Sequence, residues 1–153
     1  MPEGTVEAIH IAPEHEELPH PVQSVTVEPG KGLEGDRHFF PAGDAPAGQA
    51  ITLVEAEALE DLRRDTGIEL SAAAVRRQVL TRGIALNDLV GRRFRVGGVL
   101  CEGVELCEPC NHLASLTDPR VLRGMVHRAG LNADVLSPGE IALGDPVRAE
   151  APG

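Results

Sequence analysis

Residues 78–107, QVLTRGIALNDLVGRRFRVGGVLCEGVELC, decide the fold class. Three short runs lie inside this stretch, QVLTRG, RFRVGG and VLCEGVELC, and each stops at a glycine or at a cysteine turn. Short runs rich in β-branched and aromatic residues, bounded by turn residues, read as strands. The pattern continues on both sides. TVEAIHIA (5–12) sets Val6, Ala8 and His10 against Glu7, Ile9 and Ile11, and PVQSVTVEPG (21–30) alternates through Val22, Val25 and Val27 to a Pro-Gly stop. QAITLV (49–54), ADVLSPG (133–139) and EIALGDPVRAE (140–150) complete the set. Turn signals about 8–12 residues apart favour a barrel or sandwich over alternating βαβ units.

Two helices interrupt the strands. EAEALEDLRRDTG (55–67) carries Ala56, Leu59 and Leu62 on one face, with Gly67 as its stop. TDPRVLRGMVHRAG (117–130) places Asp118 at the N-cap, Pro119 at the first helical position and Gly130 just past the end. The prediction is a mainly β chain with a few helices, folded as a single domain over residues 1–153.

Composition narrows the function classes. Hydrophobic residues make up 42% of the 153 and aromatics only 2%, so the core is built from Val, Leu, Ile and Ala. With neither Trp nor Tyr and a net charge of −10, the chain lacks a base-stacking surface and repels phosphate backbones. No nucleic-acid partner and no membrane partner is expected. No apolar run approaches the roughly 20 residues that cross a bilayer, and the acidic start lacks the basic and apolar regions of a signal peptide. Three cysteines make a poor disulfide framework. The expected compartment is cytoplasmic.

Charge is uneven along the chain. Residues 1–30 hold six Glu and no Lys or Arg, whereas residues 76–95 hold six Arg against one acid, Asp88. The arginines either form a small-anion site or pair with the acidic regions across the fold.

Three stretches could carry chemistry. In ELCEPCNHL (105–113), Cys107 and Cys110 are three residues apart and His112 follows. A structural zinc site takes four ligands, commonly from two such pairs, and only one is present; Cys107, Cys110, His112 and His38 would have to combine. A redox pair needs its first cysteine at a helix N-terminus, whereas Cys107 ends a strand-like run. Cys107 alone reads as a small buried hydrophobe. Cys110 sits between Pro109, which fixes chain direction, and Asn111 and His112, which can orient a bound group. One positioned thiolate there can be a nucleophile, a sulfur carrier or a soft-metal ligand. The second stretch, GLEGDRHFF (32–40), crowds Asp36, Arg37 and His38 behind two glycines, within a Gly- and Pro-rich loop over 29–48. It reads either as a turn stapled by its own Asp or as the rim of a polar ligand site. The third is RRQVLT (76–81), where Arg76 and Gln78 project to one side of an extended chain.

Taken in series, GKGLEGDRH (30–38), ITLVEAEALEDL (51–62), RRQVLTRGIALNDLVGRRFRVGG (76–98), LCEPCNHL (106–113) and VHRAGLNADVLSPGEIALGDPV (126–147) are specific. In this order the chain resembles the MOSC domain, the module named for the C-terminal domain of molybdenum-cofactor sulfurase, in its short stand-alone bacterial form. The resemblance runs from about Val6 to Val147. It implies a small closed β-barrel, mostly antiparallel and of the pyruvate-kinase-barrel-like type. It implies that Cys110 ligates molybdenum or bears sulfur, and that Arg76, Gln78 and Thr81 hold the pyranopterin of the molybdenum cofactor, with Asn111 beside it. Asp36, Arg37, His38 and His112 would line the substrate side. The family commonly has Asn where this chain has Gln78, which keeps the amide on a longer arm. Pyridoxal phosphate is not expected, because it needs a Schiff-base lysine and the one lysine, Lys31, lies in a Gly-Lys-Gly loop.

The implied activity is reduction of N-hydroxylated small molecules such as hydroxylaminopurines or amidoximes. A separate electron-donor protein would be required, since no flavin, haem or iron–sulfur motif is visible. The alternative is a sulfur or cofactor carrier using a Cys110 persulfide without turnover. A third reading is an interaction module with inert cysteines.

Overall fold

The computed structural model describes residues 3–12, 20–36, 39–68, 77–107 and 130–150. Among these residues eleven strands follow in chain order: β1 (Glu3–Ile11), β2 (His20–Val22), β3 (Ser24–Glu28), β4 (Gly32–Leu33), β5 (Ile51–Glu55), β6 (Val79–Arg82), β7 (Arg93–Val96), β8 (Val99–Leu106), β9 (Leu131–Val135), β10 (Gly139–Ala142) and β11 (Pro146–Ala149). Helix α1 (Ala56–Thr66) joins β5 to β6, and a 3-10 turn at Leu86–Leu89 precedes β7.

Seven strands close on themselves in the order β1-β11-β7-β8-β9-β5-β6, with β6 returning to β1. The short β2 continues from β1 as an outer strand, and β10-β3-β4 form a second, three-stranded sheet. The expected closed barrel is therefore present, and it is mixed at one seam. β5 and β6 run parallel, with Leu53 opposite Val79, because α1 carries the chain back over the outside of the barrel between them. All other seams are antiparallel.

The core follows from strand alternation. Val6, Ile9, Leu53, Val79, Phe94, Val96, Val99, Leu131 and Val147 fill the barrel, and Val25, Val27, Leu33 and Ile141 of the second sheet join the same cluster. A smaller cluster lies under α1, where Leu59 and Leu62 meet Val54 and Cys107. The helix occupies nearly the span read from sequence. Gly67 ends it in the left-handed region at φ 76°, and its N–H donates to the Arg63 carbonyl at 2.8 Å.

Two sequence readings are refined. In β1, Val6 pairs with Thr81 but Ala8 pairs with Leu80, so Glu7 is an extra residue in a bulge. A bulge reverses the phase of alternation, which explains why Val6 and Ile9 are both buried although the unbroken pattern puts them on opposite faces. The run 140–150 is two strands, β10 and β11, joined by a turn in which Asp145 Oδ2 accepts from the Ala142 N–H at 2.9 Å. The helix read over 117–130 lies outside the described residues apart from Gly130. Among those described, no helix is long and apolar enough to cross a membrane.

Candidate functional site

β1 ends where β5 and β6 begin, and the chain builds a buried polar junction there. Gln78 immediately precedes β6 and Thr52 is the second residue of β5. Gln78 N–H donates to Thr52 Oγ1 at 3.1 Å, and Thr52 N–H donates to Gln78 Oε1 at 2.9 Å. These reciprocal bonds start the parallel seam. From the other side, His10 of β1 donates its N–H to the Gln78 carbonyl at 2.7 Å.

The Gly-rich loop closes onto this junction. A turn from Leu33 to Asp36, bonded through the Asp36 N–H to the Leu33 carbonyl at 3.2 Å, delivers the Asp36 side chain. Its Oδ2 accepts from Gln78 Nε2 at 2.9 Å and its Oδ1 from the Ala12 N–H at 2.8 Å. Asp36 and Gln78 are only 9% and 7% exposed. Backbone bonds hold the rest of the loop: Phe40 N–H to the Lys31 carbonyl at 2.9 Å, Ala45 N–H to the Gly30 carbonyl at 2.9 Å, and Glu34 N–H to the Thr26 carbonyl at 2.9 Å. The Asp36 side chain thus staples the loop to the end of β1 and the start of β6 rather than to its own turn.

Thr81 has 0% exposure, shares the inward face of Val79, and donates to the Val54 carbonyl at 3.5 Å. Gln78 and Thr81 thus direct their polar atoms to protein partners. Arg76, Arg37, His38, Cys110, Asn111 and His112 lie outside the described residues.

The residues that anchor those positions come together. Cys107 follows β8 and Gly130 precedes β9, so the segment between them leaves and rejoins the fold at one point, where the Cys107 N–H donates to the Gly130 carbonyl at 2.8 Å. Gly130 has φ 124°, and a Cβ there would overlap the Leu53 carbonyl oxygen and lie 3.4 Å from Arg77 Nε. Only glycine meets both demands. The Arg77 side chain therefore reaches from the start of β6 to the point where the cysteine-bearing segment rejoins the barrel.

The two described thiols differ in kind from an accessible nucleophile. Cys107 is buried and donates to Asn132 Oδ1 at 2.8 Å. Cys101 lies inside the barrel, where burial, helped by the Asp134 charge, pushes its thiol up to about 12. A group so rarely ionised is inert near neutral pH. Among the described residues, no three His, Cys, Asp or Glu side chains are grouped to hold a metal ion.

The arginine-rich stretch is divided by the fold. Arg82 pairs with Glu7 and Glu60, each at 2.7 Å, and Arg95 pairs with Glu150 on the far side of the barrel. For these two, pairing with distant acids is what occurs. Sequence reasoning did not single out Thr52 or Asn132 as partners. Each is a polar residue inside an otherwise apolar strand, ITLVE and LNADV, and that was the available signal.

No curated protein matches the chain in sequence. Among solved structures, the YuaD protein from Bacillus subtilis superposes with a TM-score of 0.85 at 17% identity, covering 100% of both chains. YiiM from Geobacillus stearothermophilus superposes with a TM-score of 0.73 at 19% identity over 97% of this chain and 75% of that one. YiiM from Escherichia coli gives 0.68 at 18% identity over 100% and 71%. These likenesses concern the fold. Membership rests on the sequence itself, since the family model of the MOSC domain matches residues 26–148. That span runs from within β3 to within β11 and takes in the Asp36 loop, the Gln78 junction and the cysteine-bearing segment, and the chain belongs to the MOSC domain family.

Proposed function

We propose that this chain binds the molybdenum cofactor and reduces N-hydroxylated small molecules, with Cys110 as the protein's ligand to the metal. The observation that carries this reading is the meeting of anchors at one place. Asp36 bonds Gln78, Gln78 adjoins Arg77, and Arg77 reaches Gly130, which bonds Cys107. Three residues of chain tether Cys110 within about 11 Å of Cys107, and Arg76 and Arg37 directly adjoin Arg77 and Asp36. In this reading the Cys110 thiol and the guanidinium groups of Arg37, Arg76 and Arg77 share one neighbourhood.

The residues fit an anionic, soft-metal cofactor in charge and donor type. A thiolate suits molybdenum, and arginine suits a pterin phosphate. Arg76 and Arg77 would neutralise the phosphate, Asn111 would orient the pterin, and His38 and His112 would face the substrate with Arg37. When bound, the cofactor supplies the two-electron chemistry that removes oxygen from nitrogen. The overall reduction consumes two electrons and two protons and releases water. The electrons come from a separate donor protein, and a histidine on the substrate side is suited to deliver a proton.

The test is purification from a host that makes the cofactor. Molybdenum and pterin are measured, and hydroxylaminopurine reduction is assayed with an artificial electron donor. Turnover lost in Cys110→Ala and kept in Cys107→Ala supports the reading. Cyanolysable sulfur without molybdenum would replace it with the carrier function, and neither signal would leave an interaction module.

A further inference from the structure

Four polar atoms lie in a row between two fixed backbone donors. The Ala12 N–H points at Asp36 Oδ1 (2.8 Å), Asp36 Oδ2 faces Gln78 Nε2 (2.9 Å), and Gln78 Oε1 faces the Thr52 N–H (2.9 Å). Both ends of the row must be acceptors, because a backbone N–H waits at each. The contact in the middle must then join one donor to one acceptor. Only one arrangement of two planar side chains satisfies this at neutral pH, namely one carboxylate and one amide. Two amides set NH2 against NH2 or against a backbone N–H, and two carboxylates set oxygen against oxygen. Both side chains are more than nine-tenths buried, so water cannot easily correct a mismatch.

The geometry points to Asp36 and Gln78 as a positioning pair rather than as contacts of the bound ligand. They join the turn that ends at Asp36 to the end of β1 and the start of β6, and so fix Asp36 relative to Arg77. For the molybdenum-cofactor site this inference rests on the function proposed above; as a statement about the junction it does not. The row also makes either order of the two groups equivalent. Asp36→Asn together with Gln78→Glu exchanges carboxylate for amide with almost no change in size and restores a donor opposite an acceptor at each of these three contacts.

The experiment is this cycle of two single variants and the double, each purified from a cofactor-making host. Thermal midpoint and bound pterin are the two readouts. Each single is expected to lower the midpoint by roughly 3–10 °C. The double should lie closer to wild type than either single. Pterin retained per chain should fall at least about fivefold in each single and return to within about twofold of wild type in the double. Additive losses in the midpoint would overturn the pair. A double that regains its midpoint yet remains as empty of pterin as Gln78→Glu would overturn the positioning role, because a carboxylate at 78 would then be repelling an anion it touches. If the wild type itself carries no pterin, the proposed function fails, and the junction stands or falls on the midpoints alone.

Discussion

The two ends of β6 use the same chemistry in different surroundings. At its start, Gln78 sits in a buried row of hydrogen bonds with Asp36, Thr52 and the Ala12 N–H. At its other end, Arg82 is held by Glu7 and Glu60 in side-chain contacts as short, 2.7 Å each, but the three side chains are 42%, 39% and 58% exposed. The hydrogen bonds raise the Arg82 affinity for its proton and lower that of Glu60. Exposed pairs of this kind are screened by water and salt and contribute little. Buried polar groups are costly when a partner is lost. Contact length therefore says less about consequence than access to water does.

Asp36→Ala should break the contrast most forcefully. It strands the Ala12 N–H and Gln78 Nε2 together, at a cost of about 3 kcal/mol, to be read as a lower urea midpoint. Thr52→Val comes next. It keeps the shape but removes the acceptor for the Gln78 N–H, costing about 1 kcal/mol. Within the same end, His10 adds a pH dependence. Its Nδ1 is buried without a partner among the described residues, and burial, with the nearby His20 charge, holds its proton affinity below the ordinary histidine value. The unfolded chain therefore takes up this proton more readily than the folded one. Stability should fall as pH drops through about 6.5 and level off below the depressed folded value, and His10→Phe should flatten that slope in a pH series of urea melts. Arg82→Ala at the opposite end should have the smallest effect, with any change in midpoint erased by about 0.5 M salt. A larger loss there than at Asp36 would reverse the comparison.

Much of the fold was legible because its strands are half-buried and alternate, and because Gly67 marks a helix end by a conformation that glycine adopts freely. The bulge at Glu7 was not, since it depends on which partner β1 meets. Direction was also hidden. Alternation in ITLV and QVLT is the same whether the strands run parallel or antiparallel, and only the intervening helix hints at the crossover. Asp36 and Gln78 stood out individually by residue type. Their pairing did not, because they are 42 residues apart and joined by a single hydrogen bond. Which arginines pair with distant acids was not legible either, because β6 and β7, though close in sequence, lie on different sides of the barrel.

Closure of the barrel has a consequence for how the chain is made. The first three residues of β1, Glu3–Thr5, pair with Arg148, Val147 and Pro146 of β11, and that seam closes the barrel. A nascent chain that has reached β10 thus presents two unfinished borders, one along β1 and one along β7, each able to recruit a stray strand. Sealing waits for synthesis of nearly everything in between, so both borders stay open until β11 emerges.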